Sequence, residues 1–185
     1  EARAALATGR ELATLMGIGR YQAYHWLNDG FVVWRMGDVS TAIEREKQVL
    51  AEYQQSGERF GAAVCQAYLG YMYEMVGDLA QAEKYLAGAD AGFTAIGVEP
   101  EKFEAQATAA RVALHQGQRE KAQRLAQEVW AYLRQHGTDG FTSTSWLYLC
   151  LADVLAVIAI PGLTLAEVLE SGYHDLQQRA DKLNH

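Results

Sequence analysis

The chain has 185 residues, with 16 Lys and Arg against 23 Asp and Glu and a formal net charge of -7. It is long enough to bury a core in one domain or two small ones. It is too acidic, and too poor in basic runs, to displace counterions from nucleic-acid phosphates.

Cys65 and Cys150 stand far apart in apolar contexts, which suggests neither a disulfide framework nor a metal site and fits a reducing, cytoplasmic compartment. The N-terminal stretch has no initiator Met, basic region or long apolar run, so it does not read as a signal peptide. It begins as if already inside a helix, and the chain is expected to be part of a longer protein. Residues 146–169 carry only Asp153 and Glu167 as charges, but Pro161-Gly162 divides them into two pieces. Each is too short for the roughly 20 apolar residues that a bilayer requires, so a buried helix is expected there.

The main regularity is a ruler of glycines: Gly17, Gly37, Gly57, Gly77, Gly97, Gly117 and Gly137 recur every twenty residues. A fixed long period is the mark of a stacked repeat array, each step being one element and its turn. Residues 1–17 read as an unpaired starter helix, with Ala4, Ala5, Leu12 and Leu15 at helical spacing. Residues 21–36 are apolar nearly all round, which predicts burial on more than one side. Gly37-Asp38 then closes that helix and caps the next, residues 39–56, whose apolar face is Ala42, Ile43, Val49, Leu50 and Tyr53.

The pair returns forty residues on as 60–76 and 79–96, joined by Gly77-Asp78, and again as 102–116 and 118–136. In the third copy Gln118 replaces the capping Asp, which predicts a weaker start. After Gly137 the next mark on the ruler is Val157, and the period fails. A polar loop over 138–142, a long apolar helix over 143–160 and a last helix over 163–183 are expected. The last carries Leu165, Val168, Leu169, Tyr173, Leu176, Ala180 and Leu183 as its packed face, with a polar face outward as a cap. This makes about nine helices and no strand.

Leu69-Gly70, Tyr73, Gly77-Asp78, Ala82, Leu86 and Ala89 have the order and spacing that resembles the tetratricopeptide repeat. The flanking copies, Gly37-Asp38 with Trp26 and Ala42, and Gly117 with Ala122 and Ala126, match it less fully. The forty-residue step is longer than the family's usual ~34. With the closing segment it resembles the C-terminal repeat region of large bacterial signalling ATPases, transcriptional activators and nucleotide cyclases. The resemblance implies an all-α, right-handed α-solenoid of antiparallel helix pairs. Its single domain would hold repeats at 18–57, 58–97 and 98–137 and a divergent capping pair at 138–185.

It further implies that the first helix of each pair lines a concave wall. Matched by position, that wall holds Tyr24, Leu27, Asn28, Phe31, Trp34 and Arg35, then Val64, Tyr68, Tyr71, Glu74 and Met75, then Arg111, Leu114 and His115. Core packing explains any one of these aromatics equally well; the groove as a whole is the stronger candidate. Leu27 and Phe31 stand where a chaperone-tail carboxylate clamp would need polar groups, so that relative's ligand is not expected.

No phosphate loop, GxSxG or HExxH is present, and the five histidines show no metal-ligand spacing. The expectation is a non-catalytic, cofactor-free, cytoplasmic module for protein interaction in signalling. It would offer an aromatic groove to a peptide, helix or neighbouring domain, without nucleic acid or membrane. The alternative is a small-molecule effector domain of a transcriptional regulator, for which Trp34, Phe31 and Tyr71 would serve as well.

Overall fold

The computed structural model describes residues 36–183 together with 8, 12, 15, 30 and 32–34. Among these residues the protein is all-helical, without strands; Ile160 and Leu163 form one isolated antiparallel bridge. Two compact units divide at the Gly97 mark, Glu1–Gly97 and Val98–His185. The first contains α1 (Val39–Ser56), α2 (Arg59–Met75) and α3 (Leu79–Ile96), preceded by helical residues 30 and 32–34. The second contains α4 (Glu99–His115), α5 (Arg119–His136), α6 (Thr144–Leu155) and α7 (Leu165–Leu183). The expected starter helix, apart from residues 8, 12 and 15, and most of 21–36 lie outside the described residues.

The forty-residue step is visible in backbone hydrogen bonds. At Gly77, φ is +80° and the Asp78 N–H donates to the Tyr73 carbonyl at 3.0 Å. The same closure joins Asp38 to Val33 and Gln118 to Ala113, forty residues to either side. It is the bond that turns a chain out of a helix through a left-handed residue. Asp38 and Asp78 then accept the N–H groups of Thr41 and Gln81 at 3.2 and 3.1 Å, whereas Gln118 makes no side-chain cap bond. The missing aspartate therefore removes the cap while the turn survives.

At several contacts between helices a glycine makes room for a larger side chain. Leu86 of α3 lies where a Cβ on Gly70 of α2 would sit, 2.5 Å away. Forty residues earlier the Glu46 carboxylate fills the same seat on Gly30, with Oε1 2.5 Å from that position. Forty later the places belong to Ala110 and Ala126, both fully buried. In α6 and α7 the sizes exchange, with Tyr148 against Gly172. At the three glycine contacts a different side chain, Leu86, Glu46 or Tyr148, fills the volume.

Two boundaries differ from expectation. α4 begins at Glu99 rather than near 102, because Pro100 is accommodated in its first turn, where no N–H is needed. α6 ends at Leu155 rather than near 160. There the chain turns so that Ile158, Ile160 and Leu163 enter the core, and Arg119 Nη2 donates to the Val157 carbonyl at 3.0 Å. A helix is also disfavoured immediately before Pro161. α7 starts on a reciprocal cap: Glu167 N–H donates to Thr164 Oγ1 at 3.2 Å, and Thr164 N–H to Glu167 Oε2 at 2.9 Å.

α7 is turned relative to its expected face. Val168, Gly172 and Asp175 are buried, while Leu169, Tyr173, Leu176 and Ala180 are exposed. No helix among the described residues is long and apolar enough to cross a membrane.

Candidate functional site

The described wall of the first unit is an aromatic cluster built across one helix–helix contact. Trp34 reaches over α2, its ring centroid 6.5 Å from both Tyr68 and Tyr71, which are 6.2 Å from each other. The three rings are tilted to one another by 34° to 49°, within the centroid distances at which aromatic pairs attract. Trp34 Nε1 donates to Met75 Sδ at 2.8 Å, so the indole's polar atom is occupied and the thioether is held. The spacing of Tyr68, Tyr71 and Met75 along α2 places all three toward Trp34.

These residues divide by depth. Trp34 and Tyr71 are 8% and 6% exposed and form the floor, whereas Tyr68 and Glu74 are half-buried and Met75 is 52% exposed. A partner on this wall would meet Tyr68 and Met75 first. Val64 is half-buried in the same helix. Tyr24, Leu27, Asn28, Phe31 and Arg35 lie outside the described residues.

The corresponding helices of the second unit, α4 and α6, make a polar contact instead. The Arg111 guanidinium lies 4.4 Å from the Trp146 ring centroid and donates from Nη1 to Asp153 Oδ2 at 3.1 Å. Trp146 Nε1 donates to Thr108 Oγ1 at 3.0 Å, and that hydroxyl is 3.8 Å from Cys150 Sγ. Arg111 is only 8% exposed, Leu114 is half-buried and His115 is exposed at the helix end. The chain therefore uses Arg111 to join two helices. Trp146 and Asp153, which complete the group, were missed in sequence because the loop at 138–143 breaks the period that would have projected them.

The titratable groups near these walls are structural in chemistry. Burial pushes the Cys65 thiol well above its ordinary range, which makes a poor nucleophile. Burial also raises Glu104, opposed by the Ser143 N–H that donates to its Oε1 at 2.6 Å. No group of three His, Cys, Asp or Glu able to hold a metal occurs among the described residues.

Two clefts lie in the second unit. One, of about 350 Å³, is lined by Trp130, Leu133, Arg134, Tyr148, Glu167, Glu170 and Ser171. The other, of about 210 Å³, lies between residues 138–141 and Asp175, Gln178, Arg179 and Lys182. Neither is lined by the expected wall residues. Comparison of the chain with family models, curated proteins and solved structures gave no match.

Proposed function

We propose that the chain is a non-catalytic protein-interaction module of tetratricopeptide-like helix pairs stacked as a right-handed solenoid, working within a signalling protein. Its aromatic wall receives an apolar peptide or helix. The observation that carries this reading is the graded cluster of Trp34, Tyr71, Tyr68 and Met75: two rings packed as a floor, with a tyrosine and a methionine accessible above them. A rigid floor loses little entropy when a partner docks, and methionine adapts its shape to the partner. The forty-residue recurrence of turn and cap supports the repeat assignment.

Effector binding is the second reading: Trp34 and Tyr71 could stack on a flat ligand as readily as on a side chain, and a small ligand would need polar groups converging beside them.

The test must spare the floor, since truncating Trp34 or Tyr71 would leave a cavity and confuse binding with folding. Apolar peptides selected from a random library on the whole chain should lose binding to a Tyr68→Glu/Met75→Glu double variant that keeps its helix content and denaturation midpoint. Selected peptides that bind this folded variant undiminished would place the interaction elsewhere.

A further inference from the structure

The larger cleft of the second unit, about 350 Å³, is made by two helix turns that face each other. Trp130, Leu133 and Arg134 of α5 and Glu167, Glu170 and Ser171 of α7 line it, each set spaced i, i+3, i+4 and so lying on one side of its helix. α5 and α7 both pack on α6 and not on each other, which leaves the gap, and Tyr148 of α6 lines it too. Leu133 and Tyr148 are buried and Trp130 is half-buried, so the cleft has an apolar base.

The charges stand on opposite walls. α5 contributes the Arg134 guanidinium, and α7 the carboxylates of Glu167 and Glu170. Arg134 and Glu170 are both exposed, and neither makes a hydrogen bond or ion pair among the described residues. Glu167 Oε2 accepts from the Thr164 N–H at 2.9 Å and from its hydroxyl at 2.7 Å. Those bonds, with the Arg134 charge adding to them, hold the Glu167 carboxyl below its usual range. Arg134 therefore lies near the acidic wall without bridging to it.

We propose that this cleft binds a free α-amino acid with an apolar side chain. Its carboxylate pairs with Arg134, its ammonium with Glu170, and its side chain rests against Trp130, Leu133 and Tyr148. The layout of charge selects the class. A simple anion would meet two carboxylates and a simple cation the guanidinium, whereas a zwitterion pairs with both walls. A guanidinium also suits a carboxylate, which accepts two of its N–H groups side by side. The volume lies at the small end of the roughly 300–1,000 Å³ of small-molecule sites, which matches a ligand of one residue. The site lies wholly in the second unit and shares no residue with the aromatic wall.

Calorimetric titration of the whole chain with L-leucine and with L-phenylalanine should show saturable binding. Leucinamide, which lacks the carboxylate, and N-acetyl-leucine, which lacks the ammonium, should each bind about tenfold more weakly than leucine, since each loses a charge-assisted contact. Arg134→Gln should remove the preference over leucinamide, and Glu170→Gln the preference over N-acetyl-leucine. Both variants should keep their helix content and denaturation midpoint, because neither side chain has a partner to lose among the described residues. No saturation by either amino acid up to about 10 mM overturns the proposal. Equal binding of leucine and its two blocked forms also overturns it, by leaving only apolar contact, as do folded variants that keep the parent's preferences.

Discussion

Glu46 occupies against Gly30 the place that Leu86 fills against Gly70 forty residues later, and a carboxyl is a poor substitute for an isobutyl group there. The side chain is fully buried and neither oxygen has a hydrogen-bond partner among the described residues. Burial therefore raises its pKa to about 8, and the Cys65 thiol, a weak donor short of a formed hydrogen bond, offsets this only in part. The folded unit holds the neutral acid, while the unfolded chain ionises in the ordinary carboxylate range. The raised pKa therefore implies stability that is full below that range and lost as pH rises toward 8, at up to about 1.4 kcal/mol per pH unit. Glu46→Leu should abolish this slope and add about 2 kcal/mol or more at pH 8, read as urea midpoints of the first unit from pH 5 to 8. A variant with the parent's slope would show that another group titrates. Gly77 poses a purely conformational question, since a Cβ there meets nothing within 4 Å while φ is +80°. Gly77→Val should cost about 1 kcal/mol or more, and Gly77→Asn less, because asparagine tolerates the left-handed region.

At the scale of elements, α7 shows what hydropathy leaves out. Its most apolar stripe is outside, and the packed side runs through Val168, Gly172 and Asp175. Glycine permits the close approach to Tyr148, and the aspartate ties the start of α6 and the loop before it: the hydroxyls of Thr138 and Thr144 and the Arg179 Nε all donate to it. A sequence pattern ranks Gly and Asp as surface or turn residues, so these partners become readable only after folding brings 138 and 144 beside 175. Burial pushes the Asp175 pKa up, but those hydrogen bonds outweigh it and hold the carboxyl below its usual range. A depressed acid contributes stability that is present above its unfolded pKa and lost as pH falls through the folded one. Asp175→Asn should weaken the second unit by about 1–3 kcal/mol near neutrality and shrink its loss of stability on acidification. Thermal midpoints that change equally at pH 7 and pH 3 would assign the residue a packing role alone.

Across the whole molecule, local chemistry was legible and partnering was not. The glycine ruler fixed the turns from Gly37 to Gly137, and Asp38 and Asp78 announced their caps, because each depends on neighbours within a few residues. The proximity of Trp34, Tyr68 and Tyr71 could be anticipated from their matching positions in successive helices. Which members are floor, which are accessible, and that Arg111 is joined to Trp146 and Asp153, depended on the helix packed opposite. The wall's accessible members, Tyr68 and Met75, are uncharged, with the half-buried Glu74 beside them. Raising salt from about 0.05 to about 0.5 M shortens the screening length to a few ångströms. Apolar peptides on the aromatic side of α2 should hold their affinity across this range, since burial of apolar surface is not screened by charge. Anisotropy titrations of a selected peptide check this, and a severalfold loss of affinity with rising salt would mean that charge pairing at Glu74 carries the binding.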